Sequence, residues 1–334
     1  MNETAVQRPD EELYSLRDSY PVQVIERRDV AEDTVALTLK RADGLDFPEW
    51  GPGAHIDLIL GTDGTGEPLS RQYSLWGDPG DRSVWRIAVL KDPKSRGGSL
   101  RVHETLNQGV RLTVRGPRNH FPLKPAGEYI FFAGGIGITP ILPMVRAAAA
   151  GGQPWKLYFM ARSKARLALL DEIALLPQGQ VVVHCDEEAG LIDLASITGD
   201  LGKEVHLYAC GPGPLLDALA NLSEQAPWTF HCERFAAPPT TSAAEDRPFD
   251  VVMFKSGRTV HVPAGVSCLK VLRDHGAEVD WSCGEGVCGT CETEVVDGTP
   301  DHRDAVLTPQ EREANETMMP CVSRAKSARI VLNI

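Results

Sequence analysis

The first third of the chain consists of short apolar runs separated by polar turns. Between residues 21 and 117 these runs are rich in Val, Ile, Leu and Thr, and clusters of Gly, Pro and Asp divide them. Many short strands with turn signals between them predict an antiparallel barrel or sandwich. The predicted strands are VQVIER, DTVALTLKR, AHIDLIL, VWRIAVLK and VRLTVRG, and one helix is predicted over 99–108, SLRVHETLNQ.

The pattern changes after residue 117. From 118 to 235, continuous apolar strands alternate with helical stretches, which predicts a parallel sheet covered by helices on both faces. The predicted strands are EYIFFAGG, WKLYFMARS, QVVVHCD, EVHLYACGP and WTFHCERF. The predicted helices are TPILPMVRAAAA, KARLALLDEIALL and PGPLLDALANLSEQ.

Residues 236–248 hold three prolines and no large apolar residue, a composition typical of a linker. Residues 249–334 are again rich in strands, with one helix expected in SCLKVLRDHGA and the Ser267 hydroxyl as its N-cap. Residues 1–20 form a polar lead-in. The chain is therefore predicted to contain three domains.

Composition narrows the possible classes of function. The 334-residue chain has a formal net charge of −12, which argues against a nucleic-acid-binding protein or one held on anionic lipid. No run approaches the ~18 consecutive apolar residues of a membrane helix. The N-terminus has no basic region followed by an apolar run, so we do not interpret it as a secretory signal and expect a reducing, cytoplasmic location.

Cysteines crowd into one glycine-rich loop, WSCGEGVCGTCE. Cys283, Cys288 and Cys291 are separated by four and then two residues, and Cys321 follows 30 positions later. This is the plant-type ligand spacing for a [2Fe–2S] cluster. Glycines permit the positive-φ turns and close approach that such a loop needs. The loop glycines are Gly284, Gly286 and Gly289.

A zinc site, disulfides and isolated buried thiols are three other interpretations of the cysteines. A zinc site normally uses a second cysteine pair, which is missing here. Disulfides conflict with the expected compartment. Isolated buried thiols would not explain the interleaved glycines.

Two motifs in the first domain suggest a bound mononucleotide. Arg71-Gln72-Tyr73-Ser74 ends a polar turn, with an ordinary strand as the alternative, and Arg96-Gly97-Gly98-Ser99 precedes the predicted helix. Glycines leave backbone N–H groups exposed, and a helix N-terminus favours an anion such as a phosphate. An ordinary hairpin loop running into a helix is the alternative.

The second domain carries signals for a pyrophosphate. Gly134-Gly135-Ile136-Gly137-Ile138-Thr139-Pro140 follows a strand and resembles the dinucleotide fingerprint, with Pro140 in place of its last glycine. We expect Thr139 to cap the helix and Pro140 to be its first residue. Ligands of such sheets bind at the carboxyl ends of strands. The residues found there are Arg162, Ser163, Cys210, Gly211 and Pro212.

The order of these motifs resembles the phthalate dioxygenase reductase family, to which the vanillate demethylase reductases also belong. The resemblance covers residues from about 20 to 334, nearly the whole chain. It implies an FMN-binding antiparallel β-barrel over 21–117, an NAD-binding α/β domain over 118–235 and a C-terminal β-grasp ferredoxin domain over 249–334.

The resemblance also implies roles for individual residues. The implied FMN contacts are Arg71, Gln72, Tyr73, Ser74, the backbone of Ala88, Val89 and Leu90, the phosphate-binding Gly97, Gly98 and Ser99, and Thr139 and Phe235 at the ring. The implied NAD contacts are Gly135, Gly137, Arg162, Ser163, Cys210, Gly211 and Pro212, with Cys210 beside the nicotinamide. This chain departs from the family pattern at two positions, since family members often have Gly at the position of Ser95 and a basic residue at that of Leu90.

The resulting hypothesis is a reductase that passes electrons from NADH through FMN and a [2Fe–2S] cluster to a Rieske non-haem iron oxygenase. No side chain is expected to act as a general base. Rival interpretations are a reductase for another acceptor such as a cytochrome P450, an FAD enzyme, an NADPH-dependent enzyme, and a metal-stabilised binding module without redox function. Residues 249–334 contain nine Lys and Arg against thirteen Asp and Glu, so an acidic face around the cluster is expected to steer docking.

The cysteine assignment generates a prediction. Cys288→Ser should abolish the iron–sulfur absorption and electron delivery but leave flavin reduction by NADH intact, because the flavin and the cluster occupy different domains. Absorption spectra recorded before and after NADH addition check this. Loss of flavin reduction in this variant would contradict the modular organisation.

Overall fold

A computed structural model describes residues 18–62, 68–93, 97–177, 180–236 and 246–334. The chain forms two compact units, of which the first ends at Glu233 and the second begins at Arg234. Residues 1–17 of the predicted lead-in, 237–245 of the predicted linker, and Ser95 and Arg96 lie outside the described residues.

The first unit begins with a sheet of six antiparallel strands. They are β1 (Ser19–Ala31), β2 (Thr34–Arg41), β3 (His55–Thr62), β4 (Pro68–Ser74), β5 (Trp85–Leu90) and β6 (Arg111–Arg118). Their order is β4-β3-β6-β1-β2-β5, and helix α1 (Gly98–Thr105) lies between β5 and β6 in sequence. The RQYS motif is part of strand β4, whereas the sequence pattern had suggested the end of a turn.

Strand β2 is buried on both faces over Thr34–Leu39. One face joins a core in which Phe47 stacks on Trp85 with ring centroids 3.9 Å apart. On the other face Ala36 belongs to the same apolar cluster as Phe131 of the second sheet. The two sheets of the first unit therefore share buried surface.

The second sheet has five parallel strands. They are β7 (Glu128–Gly134), β8 (Trp155–Ala161), β9 (Val181–Cys185), β10 (Val205–Cys210) and β11 (Thr229–Glu233), in the order β11-β10-β7-β8-β9. The helices of this part are α2 (Ile138–Ala150), α3 (Leu170–Ile173), α4 (Asp186–Ala189), α5 (Leu194–Thr198) and α6 (Gly213–Ser223). The strand order reverses between β7 and β10, and a crevice forms at the carboxyl ends of strands at such a point.

Two helix predictions were wrong in detail. The helix predicted over 164–176 is divided, because Leu169 is fully buried with φ at 59° and so interrupts the helical backbone before α3. Helix α2 begins at Ile138, two residues before its predicted first residue, Pro140. Gly137 occupies the cap position, and Thr139 lies inside the first turn with its hydroxyl donating to the Ile136 carbonyl at 2.9 Å.

The second unit has a mixed five-stranded sheet and a two-stranded one. The strands are β12 (Phe249–Met253), β13 (Thr259–Val262), β14 (Thr293–Asp297), β15 (Pro300–Asp301), β16 (Thr317–Met318), β17 (Arg324–Ala325) and β18 (Arg329–Leu332). The larger sheet has the order β13-β12-β18-β14-β16, and β15 pairs with β17. The helices are α7 (Cys268–Asp274) and α8 (Pro309–Ala314).

Helix α7 packs Val271 and Leu272 against Phe249 and Val251 in the core of the second unit. That core contains no residue of the first unit among those described. Helices α4, α5 and α8 were not predicted, because each has six residues or fewer, too short to show a helical period. Within the described ranges, no helix has the length and apolar content required to cross a membrane.

Candidate functional site

The glycine turn after β7 meets the end of β10 at the carboxyl edge of the parallel sheet. A Cβ at Gly137 would collide with the Cys210 carbonyl oxygen, and one at Gly211 would lie 3.0 Å from Gly134 Cα. Gly135 has φ at 54°, in the left-handed region. Only glycine permits backbones to approach this closely, so the structure brings both predicted nucleotide motifs to one crevice.

Helix α2 starts within this glycine turn. The first N–H groups of a helix have no partner inside it and favour an anion. Pro140, the third residue of α2, removes one of these donors. The remaining amides, with the glycine turn, form the part of the crevice that could hold a pyrophosphate.

Arg162 and Ser163 follow β8, beside β7 in the sheet. The Arg162 guanidinium is 80% exposed and pairs with Glu187 at 3.1 Å. Ser163 is half-buried and precedes a short 3₁₀ turn. The positive charge predicted at this strand end is therefore compensated by a carboxylate.

The RQYS and GGS motifs lie together around helix α1. A Cβ at Gly98 would collide with the Arg71 side chain, whose Nε would be 2.8 Å away. Gly97 precedes the helix with φ at 88°, and the Ser99 hydroxyl accepts a hydrogen bond from the Asp92 N–H at 3.1 Å. The predicted phosphate motif and the predicted flavin motif thus form one site, except for Arg96, which is outside the described residues.

Helix α1 also reaches the opposite edge strand of the antiparallel sheet. The His103 ring is 2.9 Å from the Val89 carbonyl on β5, whereas Gly98 lies against Arg71 on β4. Ala88 and Val89 are buried, and Leu90 is half-buried. Beyond β4, the Trp76 N–H donates to the Arg86 carbonyl at 3.1 Å. Helix α1 and the Trp76–Arg86 hydrogen bond therefore connect β4 and β5, the strands at the two ends of the sheet order.

Gln72 is anchored by a hydrogen bond to a buried carboxylate, and the Tyr73 hydroxyl is buried. The Gln72 amide donates to the Asp57 carboxylate at 3.0 Å, and burial raises the pKa of Tyr73. Burial opposes ionisation of Asp57, but the guanidiniums of Arg118 and Arg115 outweigh it and lower the pKa of that carboxyl. A buried ion pair therefore fixes the strand that carries the motif.

Glu233 is a site residue that the sequence interpretation missed. It ends β11 directly opposite Cys210, and the Ser74 hydroxyl lies 3.5 Å from its carboxylate. The residue is half-buried, but its carboxyl group is enclosed, and this burial raises its pKa to about 8. Burial also raises the pKa of the Cys210 thiol, and the negative charge of Glu233 makes a second, smaller contribution. The position of Glu233 at the carboxyl end of a predicted parallel strand was the sequence signal that could have identified it.

Thr139 and Phe235, both predicted near a flavin ring, have different environments. Thr139 is buried at the start of α2. Phe235 is 44% exposed and follows the end of the first unit. Its stacking role stays a prediction.

The four predicted cluster ligands, Cys283, Cys288, Cys291 and Cys321, are each at most 7% exposed. All three loop glycines have left-handed backbone, with φ between 68° and 70°. The Glu285 N–H donates to the Cys283 sulfur at 3.2 Å, and the Thr290 N–H to the Cys288 sulfur at 3.4 Å. The prediction that glycines turn the loop is confirmed, and backbone donors are directed at the sulfurs.

The thiols interact in two pairs. The Cys283 thiol, donating to Cys288, is the main cause that lowers the pKa of Cys288 to about 5, and the same bond raises the pKa of Cys283. A hydrogen bond with Cys291 is the main cause of the raised pKa of Cys321. Among the described residues, no three Cys, His, Asp or Glu side chains converge on a single-ion site.

Helix α7 holds the segment that carries Cys321. The Ser267 hydroxyl donates to the Cys321 carbonyl at 3.0 Å, and the Leu269 N–H donates to the Pro320 carbonyl at 2.8 Å. Ser267 precedes the helix as predicted, but its hydroxyl makes no capping hydrogen bond. The start of α7 therefore fixes Cys321 and is not capped by its own serine.

Comparisons with known proteins find similarity to electron-transfer proteins in both units. The family model for the 2Fe-2S iron-sulfur cluster binding domain matches residues 253–326, a span that includes all four predicted cluster ligands. A vanillate O-demethylase oxidoreductase from a Pseudomonas species is 42% identical over 312 residues, 91% of this chain and 96% of that protein.

Two solved structures are also similar. The structure of phthalate dioxygenase reductase, described as modular for electron transfer from pyridine nucleotides to [2Fe-2S], is 34% identical with a TM-score of 0.68, covering 95% of this chain and 98% of that one. An intact type IV self-sufficient cytochrome P450 monooxygenase is 39% identical with a TM-score of 0.89. This chain covers 98% of its own length there but spans only 43% of the P450 chain.

Together, fold and site define the protein as an oxidoreductase, the electron-transferring component of an oxygenase system. The oxidoreductase relative covers 91% of the chain and the phthalate dioxygenase reductase structure covers 95%. The chain belongs to the phthalate dioxygenase reductase family.

Glu233 generates a pH prediction. Its pKa is about 8 against an ordinary value of 4.5, so between these limits the folded protein holds a proton that the unfolded chain has released. Stability should therefore fall as pH rises through this window. Glu233→Gln removes this contribution, and its urea midpoint should fall less than that of the unmodified protein from about pH 5 to about pH 8.

Tryptophan fluorescence would follow unfolding. Glu224→Gln, at an exposed position of the same unit, is the matched control and should follow the unmodified protein. Parallel curves for Glu233→Gln and the unmodified protein would show that the carboxyl titrates normally.

Proposed function

We propose that the protein passes electrons from NADH through FMN and a [2Fe–2S] cluster to a Rieske-type oxygenase, in the cytoplasm. The carrying observation is the contact of Ser74 with Glu233, because it joins the flavin motif to the nucleotide crevice within one unit. When bound, the flavin and the cluster supply the chemistry that converts a hydride into single electrons. The residues of the chain bind and orient these groups.

The cysteine loop fits a two-iron cluster. Cys283, Cys288, Cys291 and Cys321 would supply the four thiolates that hold the two irons. The amides of Glu285 and Thr290 would donate to the ligated sulfurs, which stabilises the negative charge of a cluster.

The site around α1 fits a flavin mononucleotide. Gly97, Gly98 and Ser99 would bind its phosphate with Arg71, and the backbone of Ala88, Val89 and Leu90 would line the ring opposite Gln72, Tyr73 and Ser74. Thr139 would border the ring. The bridging of β4 and β5 supports a closed barrel for this sheet, and the α7-covered mixed sheet supports a β-grasp fold for the second unit.

The crevice between β7 and β10 fits a dinucleotide. Gly135 and Gly137 would bind the pyrophosphate, and Cys210, Gly211 and Pro212 would lie beside the nicotinamide, with Arg162 and Ser163 near the ribose. Glu187 beside Arg162 would repel a 2′-phosphate and accept hydrogen bonds from a free ribose hydroxyl. This favours NADH over NADPH, and kcat/KM for the two coenzymes compares them.

The residues between the two sites orient the reactants and exclude water. Glu233 accepts a hydrogen bond from the Ser74 hydroxyl of the flavin motif, and because its pKa is about 8 it places no negative charge there near pH 7. Cys210 is fully buried, and its raised pKa keeps it an uncharged thiol. We propose no side-chain general base.

A second candidate acceptor is a cytochrome P450. The observation that favours it is the similarity of 98% of this chain to part of a self-sufficient P450 monooxygenase. Purified Rieske-type oxygenases and P450s, added separately to the NADH-reduced protein, would distinguish the two from the rate of acceptor reduction.

The proposed function predicts a specific spectrum. The purified protein should show flavin bands with a broad iron–sulfur shoulder, and anaerobic NADH should bleach both at about 1.5 NADH per chain, since two electrons fill the flavin and one the cluster. Acid extraction and chromatography should release FMN, and release of FAD would change the flavin assignment. A colourless protein that holds zinc would contradict the proposal.

The acidic residues near the cysteine loop generate a second prediction. They are Glu278, Asp280, Glu285, Glu292 and Glu294. If they steer a basic acceptor, the rate of acceptor reduction should fall with ionic strength. Glu285→Gln should lower the low-salt rate by about twofold, the effect expected of one surface charge.

Stopped-flow reduction of the purified acceptor at increasing salt checks this. Glu224→Gln makes the same charge change at an exposed position of the first unit and should leave the rate unaltered. A rate independent of salt would rule out steering.

A further inference from the structure

One short segment, residues 302–308, contacts both parts of the chain that carry the cysteines. The Ala305 N–H donates to the Gly286 carbonyl, within the cysteine loop, at 2.8 Å. The Arg303 N–H donates to the Ser323 hydroxyl, two residues after Cys321, at 3.1 Å. This segment therefore connects the loop of three cysteines with the distant fourth.

Asp304 lies at the centre of the segment and is 2% exposed. Its Oδ2 accepts hydrogen bonds from the Val306 and Leu307 N–H groups at 3.0 Å and 2.8 Å. Its Oδ1 lies 3.4 Å from the Ser323 hydroxyl, which donates to it. Oδ2 thus stabilises the turn that contains Asp304, and Oδ1 binds Ser323 in the segment that carries Cys321.

The cysteine loop packs directly on Asp304. A Cβ at Gly286 would collide with the Val322 side chain and lie 3.1 Å from Asp304 Cα. Leu307, whose N–H Asp304 binds, packs in the same apolar cluster as Cys291 and Cys321. A displacement of Asp304 would therefore move groups that contact both sides of the cysteine site.

The charge of Asp304 is only partly compensated. The Arg312 guanidinium lies 3.7 Å from Oδ2 and is 38% exposed, and the His302 ring lies 3.9 Å from Oδ1. Neither distance is that of a close hydrogen-bonded ion pair. A buried carboxylate with distant partners adds a negative potential beside the cysteines.

We infer that Asp304 is a positioning residue for the iron–sulfur centre. Its carboxylate holds the cysteine loop and the Cys321 segment at the separation that lets four thiolates share one cluster, and its charge disfavours the added electron. The inference rests on the proposed function, because it takes these four cysteines as the ligands.

Asp304→Asn tests both parts of the inference. The amide keeps the size of the side chain but cannot replace both acceptor oxygens, so a chelator should strip iron about tenfold faster, as for other residues that support metal ligands. Loss of the charge should shift the reduction potential of the remaining cluster upwards, since the reduced cluster carries one more negative charge. The measurements are iron release to a ferrous chelator and a spectroscopic redox titration.

Two further variants separate position from charge. Ser323→Ala removes one hydrogen bond to Asp304 and no charge, so iron release should accelerate while the potential stays unchanged. Asp301→Asn is the matched control, because the Asp301 carboxylate binds Arg303 on the same segment and should alter neither quantity. Flavin reduction by NADH should be normal in all three variants and reports that the first unit is folded, and iron–sulfur absorption before the chelator is added reports that the second unit is folded.

Unchanged iron release and potential in both Asp304→Asn and Ser323→Ala would overturn the inference. Equal effects in Asp301→Asn would also overturn it, since the role would not be particular to Asp304. Failure of the proposed function looks different. In that case the unmodified protein would lack iron–sulfur absorption, or Cys288→Ser would retain it.

Discussion

The first unit depends on the close approach of two backbones at the carboxyl edge of its parallel sheet. Gly137 lies so near the Cys210 carbonyl that any side chain would collide. This approach fixes where α2 begins relative to β10, and the register of β10 with β11 then places Glu233 opposite Cys210. Glu233 in turn reaches Ser74 on the antiparallel sheet. A missing Cβ thus determines how two cofactor motifs meet.

The second unit uses the same device for a different purpose. Gly286 has a left-handed backbone and leaves no room for a side chain between Val322 and Asp304. In the first unit the glycine lets a turn approach a strand end, and here it lets a loop pack on a buried carboxylate. In both places the chain holds backbone N–H groups in fixed positions, an arrangement that favours anionic groups without adding charged side chains.

Local patterns in the sequence predicted much of this architecture, whereas contacts between distant residues were not predictable. The cysteine spacing and the loop glycines were recognisable because ligand geometry restricts both. The interruption at Leu169 depends on how that side chain is buried, and helical periodicity does not record it. The raised pKa of Glu233 was not predictable, because it follows from enclosure by residues far away in sequence. The role of Ser267 was likewise hidden, since its partner lies 54 residues away.

The pair of Arg162 and Glu187 has an evolutionary consequence. Both side chains are more than half exposed, so their attraction contributes little to stability, and either residue can change without loss of the fold. An arginine of the kind that accommodates a 2′-phosphate is already in place, restrained by a single neighbouring carboxylate. If the coenzyme binds as proposed, about one substitution, at Glu187, would free this arginine for a 2′-phosphate and let the protein draw on a different cellular pool of reductant.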